Sequence, residues 1–467
     1  MNEHFDVIVL GGGPGGTPAA MKLAAQGKKV LLAEKSGKLG GACLFVGCIP
    51  SKIIKYAADR FQEVRAASPT AAPSPGTIDD VWHGIRRTMD RILASRSDAA
   101  IVRAEKLSNL TFKAAAARFV SSNAVELDSP DASGVRCTFD RAIIATGSVP
   151  FLPEFGGTGT TQVLKSEKLF QEKSLPRSMV IIGGGPIAIE LSQMLTKLGV
   201  KCSIIEIMDT ILKGVVEPEF ARELTKRLAD DGIDVHTSST VSSVNRSGDC
   251  FETNYEDANG REHAIQSQQV MAAVGRVPDV VGLGLEAAGI SHDRTGIVVN
   301  PFLETNVSGI YATGDVIPGP KFAHTATYEA LIATANILQG NTHQRDFSIN
   351  SWVLFSDPEI ASVGLTEDEA AKSGFDVVTG TYNYEIDAAA QITGHPFGYL
   401  KFVVDKKSAR IIGVHIFTEG AGSVAGEAAL IVANGMTVHQ VAAAIHPHPT
   451  LTEAFGFLAR DMLGRLA

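Results

Sequence analysis

At 467 residues the chain is longer than one ordinary hydrophobic core organises, and its 45% hydrophobic and 20% charged residues are those of a globular protein, not a disordered one. A formal charge of −9 disfavours nucleic acid and anionic membranes as partners, because both are bound through clustered basic side chains. The opening MNEHFDVIVLGGG lacks the basic and apolar regions of a secretion signal, and apolar runs are broken by Gly, Pro or charge within about ten residues. A cytoplasmic protein without a membrane span is expected.

The first thirty-odd residues, from Phe5 to Lys35, predict a buried strand to Leu10, a glycine turn, a helix to about Gln26 and a second strand ending at Glu34. Gly11, Gly13 and Gly16 fit the pattern G-x-G-x-x-G. One glycine permits the tight turn, one lets backbone approach a pyrophosphate, and one lets helix and strand pack closely. Glu34 stands where an acid accepts hydrogen bonds from ribose hydroxyls.

Next comes GGACLFVGCIPSK, which holds two of the five cysteines, Cys43 and Cys48. A structural zinc site needs four ligands, and no second Cys or His pair has finger-like spacing. On an ideal helix, residues five apart lie about 8.6 Å apart at Cα, beyond the roughly 7 Å a disulfide allows. A bond between them requires a distorted turn, which Gly47 makes accessible, and strain makes such a bond labile. A redox pair suits this better than a staple. Lys52, one turn beyond Cys48, either offers a positive charge to a thiolate or is a solvated lysine.

A Pro/Ala/Ser loop over 68–77 and a long spacer helix over about 78–106 follow, then strand-rich sequence up to ATGS, with Thr146 and Gly147. From Met179 the first unit repeats: Gly183, Gly185 and Ala188 take the glycine positions, and Glu206 follows Gly183 by the same 23 residues that separate Glu34 from Gly11. Two dinucleotide sites are implied. No Arg or Lys directly follows Glu206, and its carboxylate repels a 2′-phosphate, so the second site is expected to take NAD over NADP.

After AAVGRVPD, with Gly275, and GIYATGDV, with Asp315, a final α+β region begins near residue 346. Its segment HPHPTLTE sets His448 five residues before Glu453. Together they could form an acid–base pair, or a loop histidine beside a helix-starting Thr-x-x-Glu. Cys137, Cys202 and Cys250 are isolated and read as core or strand thiols.

The redox segment, both nucleotide units, RAIIATGSVP, AAVGRVPD, GIYATGDV and HPHPTLTEAF together resemble the FAD-dependent pyridine nucleotide-disulfide oxidoreductases along nearly the whole chain. CIPSK is most similar to the lipoamide dehydrogenase branch. The resemblance implies an α/β fold with two Rossmann-like dinucleotide-binding domains, for FAD and NAD, and a C-terminal α+β dimerisation domain. The FAD domain covers 1–149 and 273–345, the NAD domain 150–272 and the dimerisation domain 346–467.

It further implies that Cys48 is the flavin-side thiol and Cys43 the one that exchanges with substrate. Lys52 pairs with Glu190 beside the flavin, Asp315 bonds the sugar portion of FAD, and the segment at Ala323 and His324 lies beside the flavin. His448 and Glu453 form the acid–base dyad of the partner subunit's site in an obligate homodimer, and His446 is structural. No metal is expected. The activity implied is oxidation of protein-bound dihydrolipoyl groups with reduction of NAD, the lipoyl carrier being the protein partner. Other disulfide or metal-ion reductases of the family, and a non-catalytic flavoprotein that senses NADH, are the rival readings. Phe45, Ala42 and Pro186 depart from the family pattern, in which Asn, Thr or Val, and a larger side chain are usual.

Overall fold

Phe5 and Val7 to Leu10 are all buried, as are Val30 to Ala33. Such continuous apolar runs, without alternation, are what parallel strands covered on both faces require. In the computed structural model, which describes residues 3–67, 75–129 and 134–466, they form β1 (Glu3–Leu10) and β2 (Val30–Ala33), joined by α1 (Thr17–Ala25). The redox segment follows as α2 (Gly41–Val46) and α3 (Cys48–Ala67), and then comes α4 (Pro75–Glu105). Strands β3 (Leu110–Lys113), β4 (Ala116–Ser121), β5 (Ala124–Asp128) and β6 (Val135–Ile144) complete the first sheet in the order β3-β2-β1-β6-β5-β4.

Next are β7 (Ser148–Pro150), β8 (Leu164–Lys165), α5 (Ser166–Leu169), β9 (Ser178–Ile182), α6 (Pro186–Lys197), β10 (Lys201–Ile205), α7 (Pro218–Asp230) and β11 (Asp234–His236). The antiparallel meander β12 (Thr240–Ser247), β13 (Cys250–Glu256) and β14 (Glu262–Ser267) precedes β15 (Gln269–Ala272). The second sheet, parallel throughout where the first carries antiparallel β4 and β5, runs β11-β10-β9-β15-β8. The chain leaves through β16 (Arg276–Pro278), which pairs with β7, then passes α8 (Leu285–Ala288), β17 (His292–Asp293) and β18 (Gly296–Ile297). It rejoins the first sheet at β19 (Ile310–Ala312), parallel to residues 142–144 of β6, and continues into α9 (Ala323–Gln339).

The C-terminal region is an antiparallel sheet of β20 (Ser351–Leu354), β21 (Glu359–Gly364), β22 (Val377–Asn383), β23 (Tyr399–Asp405) and β24 (Ile411–Thr418), ordered β20-β21-β24-β23-β22. With it go α10 (Glu367–Lys372), α11 (Ala388–Ile392), α12 (Ala421–Ala433), α13 (Val438–Ala443) and α14 (Glu453–Leu466). Cys137, Cys202 and Cys250 all lie in strands, the first two buried.

Two sequence expectations change. Pro75 to Thr77 belong to α4, since proline is tolerated in a helix's first turn, so the predicted loop ends earlier, while 68–74 lie outside the described residues. Residues 41–67 are together long and apolar enough to cross a membrane, although no such run was expected. In the fold they are two helices broken at Gly47, and α3 packs against α4 and α6. Leu44, Ile54 and Ala58 share one buried core with Trp82 of α4, Ile189 of α6, and Leu354, Ile360 and Phe417 of the C-terminal sheet. The cysteine segment is therefore held by the second nucleotide unit as well as by the first.

Candidate active site

Both glycine turns carry their acid in the same geometry. Glu34 accepts hydrogen bonds from the backbone N–H groups of Gly12 at 2.8 Å and Ser36 at 2.9 Å. Glu206 accepts from Gly184, and from Met208 at 2.7 Å. A β carbon on Gly11 would stand 2.3 Å from the Ala145 carbonyl, and one on Gly16 only 1.9 Å from the Gly11 carbonyl, so neither position admits a side chain. Gly13 faces Gly41 of the redox segment.

In the second unit Gly183 approaches the Ala273 carbonyl and Gly185 caps α6. Here the Ala188 methyl is accommodated and fully buried. Backbone turns of this kind, with an acid beyond each, fit two dinucleotides.

The other residues named for the first site gather around its turn. Thr313 and Thr327 donate to the carbonyls of Gly15 and Pro14, both at 3.2 Å, which ties the ATGDV segment and α9 to the first glycine turn. Ala323 is the first residue of α9, and the neighbouring His324 ring pairs with the Ser351 carbonyl at 2.5 Å. The Asp315 carboxylate accepts from the Ser148 hydroxyl at 2.7 Å. Thr146 donates to the Asp279 carbonyl at 2.8 Å, and Asp279 N–H returns a bond to Gly147 O at 2.9 Å. Gly275, whose carbonyl accepts from Phe151 N–H at 3.0 Å, sits where the chain crosses back beside them.

Sequence reasoning missed Glu329. It is 2% exposed, accepts from Gly314 N–H at 2.7 Å and faces Arg345 at 3.5 Å. Burial pushes its carboxyl up to about 7, against the bond from Gly314 and the charge of Arg345.

At the cysteines the helix breaks where the spacing requires it. Gly47, with φ −141° and ψ −108°, separates the residues following Cys43 from Cys48 at the start of α3. Both are free thiols, Cys43 half-buried and Cys48 exposed. They share a hydrogen bond that pushes the Cys43 thiol well up and brings Cys48 down to about 7. Partial desolvation opposes the Cys48 shift, and the Lys52 charge reinforces it. The shared hydrogen bond and the Lys52 charge both favour negative charge on Cys48 over Cys43.

Lys52 donates to Glu190 of α6 at 2.7 Å. The next polar residues along the same helices were not foreseen. Lys197 bonds Asp59 at 2.5 Å and Asp357 at 2.7 Å, and Lys55 bonds Asp59 at 2.8 Å, joining α3, α6 and the β20–β21 loop. The i,i+4 spacing of Lys55 and Asp59 and the i,i+3,i+7 spacing of Glu190, Gln193 and Lys197 were the available signals. Phe45 packs against the core that Trp82 and Ile189 share, with the Lys38 ammonium 5.5 Å from its ring centre.

The two readings of HPHPTLTE prove compatible. His448 Nδ1 lies 2.9 Å from Glu453 Oε2, and the same oxygen accepts from Thr450 N–H at 3.1 Å at the start of α14. His448 has a side chain 72% exposed, which leaves Nε2 open to solvent. Among the described residues, no hydrogen bond or ion pair links this dyad to Cys43 or Cys48 of its own chain. His446 instead pairs with Glu427 at 2.9 Å and is largely buried. The one cluster with metal-ligand atoms close together among the described residues, His4 with Asp6 and Asp140, lies on the central strands β1 and β6, toward the end of β1 opposite the glycine turn.

A family model described as pyridine nucleotide-disulphide oxidoreductase matches residues 5–330, and one described as the dimerisation domain of the same oxidoreductases matches 350–459. The dihydrolipoyl dehydrogenase of Geobacillus stearothermophilus is 35% identical over 470 residues, covering 98% of this chain and 96% of that protein. The mercuric reductase of Lysinibacillus sphaericus is 30% identical over 460 residues, covering 98% and 82%. The Cu(II) complex of the HOCl-induced flavoprotein disulfide reductase RclA from Escherichia coli superposes with a TM-score of 0.86 over 98% of this chain and 99% of that one. At 23% identity this last likeness is one of fold.

Proposed function

Because the chain belongs to the pyridine nucleotide-disulphide oxidoreductase family, we propose that this FAD- and NAD-using oxidoreductase oxidises protein-bound dihydrolipoyl groups. The observation that carries the reading is the pairing of a thiolate-forming Cys48, flanked by Lys52 and Glu190, with a second, half-buried thiol at Cys43 across the helix break at Gly47. The full-length likeness to dihydrolipoyl dehydrogenases supports the substrate, and the dimerisation domain supports a homodimer. The reducing cytoplasm is the compartment that suits a dithiol in working exchange.

In the oxidised state the pair is a disulfide. His448 Nε2 takes the proton of one substrate thiol, while Glu453 on Nδ1 fixes the ring's orientation and stabilises its charged form. The substrate thiolate attacks Cys43 Sγ, the Cys43–Cys48 bond breaks, and Cys48 leaves as a thiolate beside Lys52. The second substrate thiol then attacks the mixed disulfide, releasing a cyclic substrate disulfide and returning a proton to Cys43. Lys52 and the donated bond from Cys43 hold the negative charge on Cys48. FAD, which the Gly11–Gly16 turn, Glu34 and Asp315 would hold, would supply acceptance of the dithiol's electron pair and hydride transfer to an NAD held by the Gly183–Ala188 turn and Glu206. The dyad serves the cysteines of the other protomer, a reading supported by the exposure of His448 and, among the described residues, by the absence of a hydrogen bond or ion pair to its own cysteines.

The test is NAD reduction by dihydrolipoamide in the flavin-loaded dimer, beside Cys48→Ser and with NADP as comparison. Turnover with NAD that vanishes in the variant supports the assignment. Protein that NADH reduces but dihydrolipoamide does not would sink the substrate. Mercuric ion is then the alternative substrate to offer, since the likeness to a mercuric reductase supports it.

A further inference from the structure

We propose that Phe355, in the loop between β20 and β21, is a positioning residue that fixes the Lys52–Glu190 pair beside Cys48. The inference rests on the proposed role of Cys48 as the thiolate of the pair. Residue 355 touches both members at once. Its ring centre lies 4.2 Å from Lys52 Nζ, so the ammonium stands over the face of the π system. Its backbone N–H donates to Glu190 Oε1 at 2.9 Å, while Glu190 Oε2 accepts from Lys52 at 2.7 Å.

An ammonium has three donors on a flexible four-carbon stem. Glu190 engages one, and the Ser51 hydroxyl, 3.4 Å away, is at the limit of engaging another. The aromatic face supplies the remaining direction. The Phe355 ring is half-buried and, among the described residues, joins none of the apolar clusters.

The loop that carries the ring is itself clamped to α6. Gln193 accepts from Asp357 N–H at 2.9 Å and donates to the Asp357 carbonyl at 2.8 Å. Lys197 holds the Asp357 carboxylate at 2.7 Å. Behind the ring, a β carbon on Gly422 of α12 would lie 3.4 Å from Cε1, so α12 passes close beside the ring's edge. The C-terminal domain thus reaches, through one ring and one amide, the charge four residues from Cys48.

The experiment is peptide-resolved alkylation of the reduced, flavin-loaded dimer by iodoacetamide across pH. Within one protomer the charged groups facing the thiols are Lys52 on α3, Glu190 from α6 and Arg96 of α4, which acts on Cys43, and in the dimer the proposed reading adds the partner subunit's His448. In the unaltered protein Cys48 should show a midpoint near 7. Phe355→Leu is expected to raise it by about half a pH unit or more, whereas Phe355→Tyr, which keeps the ring, leaves it unchanged. Lys52→Met raises it further, and adding Phe355→Leu to Lys52→Met then changes nothing.

An unmoved midpoint in Phe355→Leu, or an additional shift in the double variant, overturns the proposal. If Phe355→Leu fails to hold flavin, Phe355→Met is read in its place by the same criteria. The measurement uses neither a lipoyl substrate nor NAD, so a failed lipoamide assignment leaves it intact. A Cys43 that alkylates at lower pH than Cys48 overturns the thiolate assignment beneath it.

Discussion

Glu34 and Glu206 hold equivalent pairs of backbone N–H groups, Gly12 with Ser36 in one unit and Gly184 with Met208 in the other. A carboxylate has about four acceptor sites, so each acid retains capacity for ribose hydroxyls after its own turn is satisfied. The acid is thus part of the turn's structure before any nucleotide arrives.

Glu206→Gln should therefore damage the second site while sparing the first. A carboxamide offers an N–H₂ where an acceptor is needed, and it no longer repels a 2′-phosphate. KM for NAD is expected to rise roughly 10- to 100-fold, the scale of lost hydrogen bonds to a charged group. The preference for NAD over NADP should narrow, and flavin content should stay unchanged. Steady-state kinetics with both nucleotides checks this, and Glu34→Gln should instead lower flavin content.

The third glycine positions behave differently despite their shared place in the repeat. Gly16→Ala would drive a methyl to 1.9 Å from the Gly11 carbonyl, so the turn must open. That variant is expected to purify without flavin colour. Ala188→Gly loses a fully buried methyl in the first turn of α6, costing about 1–2 kcal/mol of stability while retaining NADH oxidation. Flavin absorbance and thermal unfolding separate the two outcomes.

Glu329 makes stability depend on pH. Its folded carboxyl is raised from 4.5 to about 7, so between those values the native state keeps a proton that the unfolded chain releases. Stability falls as pH rises through this window and then levels off, a loss of up to about 3 kcal/mol. Glu329→Gln keeps an acceptor for Gly314 N–H and has no proton to lose. Its advantage in Tm over the unaltered protein should grow from pH 4.5 to pH 7 and be constant above; an advantage independent of pH would refute the cause given.

Lys197 joins three parts of the chain through Asp59 and Asp357 with only 9% of its side chain exposed. Lys197→Met leaves the Asp357 carboxylate without its direct ion-pair partner and is expected to cost about 3 kcal/mol. Pairing it with Asp357→Leu should recover much of that loss, because an apolar pair of similar volume replaces two charges. Denaturant unfolding of the single and double variants measures the difference.

Short-range chemistry was legible in the sequence by itself. The glycine spacing, the apolar runs at β1, β2 and β9, and the acids closing each unit are set within about thirty residues, where backbone sterics and strand burial act directly. The break at Gly47 could be inferred because two cysteines five apart cannot meet on an unbroken helix. His448 and Glu453 were legible as a pair, and so was the choice between capping and acid–base chemistry, which the fold leaves compatible. The Lys52–Glu190 pairing came from resemblance, since no local rule relates residues 138 apart.

Only the tertiary structure decided that the cysteine segment shares a core with α6 and the C-terminal sheet, that Glu329 lies buried beneath the ATGDV turn, and that Phe355 faces Lys52. Each depends on which surfaces of distant elements pack together. Local propensity and spacing carry no information about that packing, because it is set by long-range burial and by the complementarity of surfaces that exist only once the separate units have folded.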